Sequence, residues 1–159
     1  MAKRGMRVTG AKQLDKVLRD LAKVDNRAGR KVMRQALTVA AKPIVRDAKA
    51  KVAKRSGNLR RSIGAVSPKG SGTKVSVKVG PRTGGKWKGF HGHLVEFGHA
   101  LVRGGKVIGH VPAKPFMRPA WDTNKGGVLR TIGREIGPRI EKEAARLAKK
   151  HRSVKRRRR

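Results

Sequence analysis

Between Asp47 and Asp122 the chain carries a single carboxylate, Glu96, so most of the positive charge around it cannot be neutralised from within. Glu96 lies in residues 92–121, GHLVEFGHALVRGGKVIGHVPAKPFMRPAW, which also hold three of the five histidines, two of the three phenylalanines and one of the two tryptophans. Three of the seven prolines are there as well. Aromatic residues are scarce in this chain, and the place where they gather is where a core is expected to close.

The wider balance is 43 Lys and Arg against 9 Asp and Glu, a formal charge of +34. Such a chain attracts polyanions non-specifically and responds strongly to salt. The same basicity also suits a crowded nucleoprotein environment without a specific contact. With 159 residues the chain is expected to form one domain with a tail. Its 36% hydrophobic content is below the usual ~45–50% of globular chains, so the core is thin and oligomerisation is one way to cover an apolar face. There is no cysteine, which excludes a disulfide framework, a thiol nucleophile and a cysteine zinc site. No apolar run approaches the ~18 residues of a membrane span, and the basic N-terminus is followed by no long apolar core. An intracellular protein without a membrane partner is expected.

The patterning predicts an α+β chain with N-terminal helices, a small mostly antiparallel sheet, a long C-terminal helix and a disordered basic tail. Its expected parts are a flexible basic N-terminus over 1–9, a single domain over 10–148 and a basic tail over 149–159. Leu14, Val17, Leu18 and Leu21 recur at helical spacing over 10–24. Asp25 and Asn26 can cap a second helix over 27–52, striped by Met33, Ala36, Leu37, Ala40, Ile44 and Ala48, with Pro43 expected to kink or split it. A turn at 56–58 leads to Leu59 and Ile63, which anchor the start of the sheet. Alternation of Val75, Val77 and Val79 with Lys74, Ser76 and Lys78 predicts a half-exposed strand over 73–79. A glycine-rich loop over 80–90 precedes an expected strand over 91–97. Strands over 100–103 and 106–111 then flank a Gly104-Gly105 hairpin turn. Pro112, Pro115 and Pro119 form a rigid connection, with a helical turn starting near Pro115 and with Phe116 and Trp121 buried against the sheet. The last helix is expected over 125–150, with Val128, Leu129, Ile132, Ile136, Ile140, Ala144 and Leu147 inward and a kink near Gly137-Pro138.

Candidate chemistry is sparse. His91, His93, His99 and His110 with Glu96 invite a metal site, since His91 and His93 would share one face of a strand. Their spacing fits no zinc pattern, however, and the cationic surroundings disfavour a bound cation. No serine or threonine lies in a nucleophile elbow, and one central carboxylate is too few for a metal-dependent nuclease. The reading is therefore of a non-enzyme without cofactor or metal. Glu96 is expected to pair with an arginine, Arg60 or Arg118 being the candidates. Arg55, Arg60 and Arg61 can serve a structural turn, bind phosphate or meet acidic side chains of a neighbour. Trp87, between Lys86 and Lys88, can stack on a base, cap the sheet edge or anchor an interface, and the last two are favoured. The run ending in Lys155, Arg156, Arg157, Arg158 and Arg159 is the strongest single candidate for DNA-backbone contact, with Arg55, Arg61, Lys86 and Lys88 as further ones.

Three ordered segments bear a resemblance. RSGNLRRSI at 55–63 resembles the TG-x-L-R-x-S-I segment of the tail-completion, or head–tail joining (neck, minor tail component), proteins of tailed bacteriophages. VEFG at 95–98 and PAKPFMRPA at 112–120 resemble two further segments of that family, in the same order and spacing, so that the likeness covers residues 10–148. Ser56 stands where the family often has threonine, and the +34 charge exceeds what the family requires. The resemblance implies an α+β virion protein without enzymatic activity, at the head–tail junction or upper tail, present in the bacterial cytoplasm during assembly. Its implied partners are copies of itself in a ring, with six the number implied, together with other neck proteins and the tail tube. Packaged double-stranded DNA is a further candidate partner, suggested by the charge alone. Leu59, Arg60, Glu96, Phe97, Pro112, Pro115, Phe116, Arg118, Pro119 and Trp121 are the expected structural or interface residues. The competing reading is a non-specific nucleoid-like DNA-binding protein, which accounts for the charge but not for the three ordered segments.

Overall fold

Seven residues spaced four apart, Ala28, Val32, Ala36, Ala40, Ile44, Ala48 and Val52, are all buried. They define the inward side of helix α1 (Asn26–Lys51) and its immediate continuation, since the Val52 N–H still donates to the Ala48 carbonyl. The computed structural model describes residues 26–68 and 75–157. The expected helix over 10–24, Asp25 of the expected cap, residues 69–74 and the last two arginines lie outside the described residues. After α1 come α2 (Asn58–Ser62), β1 (Ile63–Val66), β2 (Lys78–Pro81), α3 (Gly92–Phe97), β3 (His99–Arg103), β4 (Lys106–Val111) and α4 (Met117–Arg157). The class is α+β as expected. The strands form two separate antiparallel pairs, β1 with β2 and β3 with β4.

The chain divides into two compact units. The first contains the α1 residues up to Ala40 and the α4 residues from Gly127. Its core is a helix–helix seam: Val32, Ala36 and Ala40 meet Ile132, Ile136 and Ile140, flanked by Met33, Leu37 and Val128. Alanines on one side allow close approach, and isoleucines on the other fill the volume between the ridges. Polar contacts border the seam. Lys31 Nζ donates to Glu143 at 3.0 Å, Arg146 Nε donates to the same carboxylate at 2.8 Å, and Arg139 bridges Glu135 and Gln35.

The second unit runs through Ala41–Val66 and Val77–Gly126. Its buried apolar residues are Ala41, Ile44, Ala48, Val52, Leu59, Ile63, Phe116 and Ala120. β1 and β2 pair from Ile63↔Pro81 to Val66↔Lys78. The β3–β4 turn falls at Gly104 and Gly105, both at positive φ (56° and 76°), the backbone a two-residue hairpin turn of this hand demands.

Several sequence expectations need correction. The strand expected over 73–79 is β2, which begins only at Lys78, three residues past Val75, and extends to Pro81. Residues 91–97 form no strand. Helix α3 occupies Gly92–Phe97, and its two buried residues, Gly92 and Glu96, stand four apart on one face; a six-residue stretch carries too little periodicity to reveal this. The last helix begins at Met117, eight residues before the expected start, and its backbone enters the basic segment as far as Arg157. Pro43 and Pro138 lie inside unbroken helices. Each removes one backbone donor, and the buried neighbours of Pro43, Ala41 and Ile44, hold the helix through that loss. Leu129 is 78% exposed and Ala144 is exposed, so neither belongs to the inward stripe.

This core makes a paired test. Ile136→Ala is expected to cost about 2–5 kcal/mol through lost burial and a residual cavity, whereas Leu129→Ala should change stability by less than about 0.5 kcal/mol. Urea unfolding of both variants reads the difference; equal losses would show that the seam is misassigned.

Candidate functional site

Glu96 reaches from the last turn of α3 to the start of α4. Its Oε2 accepts the Phe116 and Met117 backbone N–H groups at 2.8 and 2.9 Å, and its Oε1 accepts that of Arg118 at 3.0 Å. The first amides of a helix have no intrahelical acceptor, and here one carboxylate serves three of them. Pro119, next in sequence, has no N–H to satisfy. The negative charge also sits at the positive end of the helix dipole. Burial by itself pushes the Glu96 carboxyl up, but the amides of Met117, Phe116 and Arg118, with the Arg118 charge, outweigh it and hold the carboxyl below its ordinary 4.5. The expected arginine partner is thus replaced by backbone, with Arg118 contributing charge at longer range. Two flanking contacts fix the geometry: the Lys114 N–H donates to the Val95 carbonyl at 2.8 Å, and Gly98 turns the chain at φ 72°. A Cβ at Gly98 would lie 2.6 Å from the Val111 carbonyl oxygen, which leaves glycine as the residue that fits.

Beside this contact lies an apolar cavity of about 610 Å³, lined by Ile44, Val79, Pro81, Phe97, Phe116 and Trp121 among others. Phe116 is buried, but Trp121 is 50% exposed and Phe97 75% exposed, so the expected burial of Trp121 is corrected. The tryptophan lines the rim while Phe116 closes the floor. Every residue of the hairpin from Leu101 to His110 is exposed, including the apolar Leu101, Val102, Val107 and Ile108.

A second feature is cationic. The Ser62 carbonyl accepts both the Arg82 backbone N–H at 3.1 Å and Arg82 Nε at 2.9 Å. The Gly89 N–H donates to the Arg82 carbonyl at 3.0 Å, closing the loop that carries Lys86 and Lys88. Arg82 lies 3.5 Å over the Trp87 ring, and Lys86 approaches the same ring at 5.3 Å. Trp87 therefore serves the loop's own packing. Arg61 is held by Asn58 Oδ1 at 2.6 Å.

The remaining expected residues fall as follows. Leu59 is buried, and Arg60, Arg55, Lys86, Lys88, Arg118, Pro112 and Pro115 are exposed, with Pro119 half-buried. Lys155–Arg159 have no described side chains. His91 precedes α3 and packs edge-on against Phe90, while His93 lies within the helix, so the two do not share a strand face. Among the described residues no three His, Cys, Asp or Glu side chains gather, and no helix is long and apolar enough to cross a membrane. Ser62 and Arg82 went unnoticed in the sequence. Ser62 is fully buried and donates to the Leu59 carbonyl at 2.6 Å; nothing but its place in the RSGNLRRSI segment marks it.

The Glu96 contact predicts a pH effect. A carboxyl lowered in the folded state stabilises above its unfolded pKa, and that stability is lost as pH falls through the folded value. Glu96→Gln should cost about 1–3 kcal/mol at neutral pH, and it should flatten the loss of stability on acidification below 4.5, the ordinary value. Denaturant titrations of both proteins between neutral and acidic pH read this; an unchanged acid slope would remove the carboxylate from its assigned role.

Comparison with known proteins places this geometry. The family model described as "Bacteriophage HK97-gp10, putative tail-component" matches residues 12–98. That span takes in the 55–63 and 95–98 segments, while the 112–120 segment lies beyond it. No curated protein and no solved structure matches the chain. The match covers more than half of the 159 residues, and the chain belongs to the HK97-gp10-like family of bacteriophage tail components.

Proposed function

We propose that this chain is a structural virion protein of the phage neck or upper tail whose copies form a ring joining the head connector to the tail tube, with no catalytic role. The observation that carries the reading is the β3–β4 hairpin. Two-stranded hairpins are marginal in water on their own, yet this one exposes Leu101, Val102, Val107 and Ile108 together. An arm of this kind calls for a partner. The same unit offers a concave apolar surface, the cavity rimmed by Phe97 and Trp121. An apolar hairpin and an apolar cavity on one chain can meet either reciprocally in a two-fold pair or head-to-tail; a head-to-tail contact whose rotation closes gives a ring, and the family resemblance favours that arrangement. Six copies is the number the family resemblance suggests. Neighbouring neck proteins and the tail tube would cover the ring's two faces, and the location would be the head–tail junction of the virion.

Electron microscopy of the purified protein tests the ring: closed rings, free or on tail tubes, are the expected result, and monomers coating DNA would favour the nucleoid-like alternative instead. A second measurement isolates the arm. Val102→Glu with Val107→Lys, a cross-strand pair that gains opposite charges, should leave the melting temperature within a few degrees, since both side chains are exposed, and should shift sedimentation from oligomer to monomer. Rings that persist in this variant would remove the hairpin from the contact.

A further inference from the structure

We infer that the corner built by α2 and the 82–89 loop is a binding site for the phosphates of double-stranded DNA, independent of base sequence. The corner is fixed in shape. Arg82 is tied to the Ser62 carbonyl through both its backbone N–H and Nε, and the Gly89 N–H closes back on Arg82. The two ends of the loop, Arg82 and Gly89, are thereby held at the end of α2, on the element that carries Arg60 and Arg61, and the loop between them carries Lys86 and Lys88. All four of these side chains are exposed. Side chains presented by a braced loop lose less freedom on binding than those of a free tail.

The corner's charge has no answer within its own unit. The three carboxylates there are already engaged. Asp47 holds Lys51 and Asn124, Glu96 holds three amides, and Asp122 holds Lys125 at 2.9 Å. The sequence supplies no other carboxylate between Asp47 and Asp122. Within this unit the corner is therefore open to an external anion.

The class of anion follows from the side chains. Trp87, the aromatic residue between the two lysines, is covered by Arg82 at 3.5 Å and does not offer that face to a base. What remains outward is a set of rotatable ammonium and guanidinium donors, which make phosphate contacts that position a duplex without reading it. Duplex DNA presents a charge about every 1.7 Å along its axis, and each phosphate neutralised releases counterions.

The test measures the salt dependence of binding to a labelled mixed-sequence duplex of about 30 base pairs by fluorescence anisotropy, using the complete chain. One variant carries Arg60→Gln, Lys86→Gln and Lys88→Gln. A charge-matched control carries Arg130→Gln, Arg134→Gln and Lys142→Gln, also exposed but in the other unit. Circular dichroism and thermal melts establish that both fold. The slope of log K against log salt should fall by about 2–3 in the corner variant, at about 0.9 per lost phosphate contact, and by less than about 1 in the control. A second duplex of unrelated sequence should give the same slopes. Equal falls in the two variants would show that net charge alone governs binding and would overturn the site. So would an unchanged slope in the corner variant, or its appearance only when Arg156, Arg157, Arg158 and Arg159 are replaced by glutamine. Neither readout depends on ring formation, so the site and the ring reading fail separately.

Discussion

Helix α4 starts at Met117 because a carboxylate twenty residues away accepts its first amides. A buried carboxylate is costly unless its oxygens are bonded, and a helix start is costly unless its N–H groups find acceptors. Glu96 and residues 116–118 cancel each other's cost. The arrangement also explains the sequence around it. Pro115 and Pro119 bracket the three amides and contribute no donor of their own, and Gly98 lets the chain leave α3 within contact distance of Val111. The VEFG and PAKPFMRPA segments, distinct in the sequence, are the two halves of one contact. The first half lies within the matched family span and the second beyond it, so the span ends partway through a structural unit.

The same contact removes Glu96 from the electrostatics of the surface. In the second unit Asp47 and Asp122 are likewise engaged. In the first, the Lys31 hydrogen bond, opposed by burial and aided by Arg146, holds the Glu143 carboxyl below its ordinary value. Glu96 and Glu143 thus brace internal geometry, Asp47 and Asp122 pair with nearby lysines, and much of the basic surface is left to solvent ions or to a partner. On the ring reading, the charge of +34 is a property that assembly would have to accommodate.

What the sequence made legible follows from how local each signal is. The α1 stripe is a repeated spacing within one helix, and Ala36, Ala40, Ile44 and Ala48 are readable from it; Ala28 and Val32 continue the same four-residue spacing and are buried too, while Met33 and Leu37 are only partly buried. The β3–β4 hairpin is marked by Gly104-Gly105 between two apolar runs, and its ends fall within a residue of expectation. The Glu96 partner was not readable, because nothing in the chain around Glu96 names an acceptor-poor helix start at 116. A helical turn is expected near Pro115 and a separate last helix from 125; the structure joins them into one helix from Met117, which turns Trp121 outward instead of against the sheet. Residues 91–97 misled for the opposite reason: a short run with valine and phenylalanine looks extended, while its buried pair, Gly92 and Glu96, makes sense only once β2 and α4 are in place. Arg82 carried no distinguishing mark among the other cations, since its role depends on the Ser62 carbonyl and Trp87.

Exposed apolar surface and unanswered charge pull in different directions. Copies carrying +34 each repel at low salt, while the hairpin and the Phe97–Trp121 cavity gain from being covered at any salt. On the ring reading, screening over the ~8–10 Å Debye length of physiological salt weakens the repulsion and leaves the apolar contact intact, so assembly strengthens as salt rises. The phosphate contacts proposed at the α2 corner would weaken over the same range, because counterion release loses its advantage. Bound polyanion would replace salt in screening the subunits from one another, which makes the two contacts cooperative at low salt and independent at high salt.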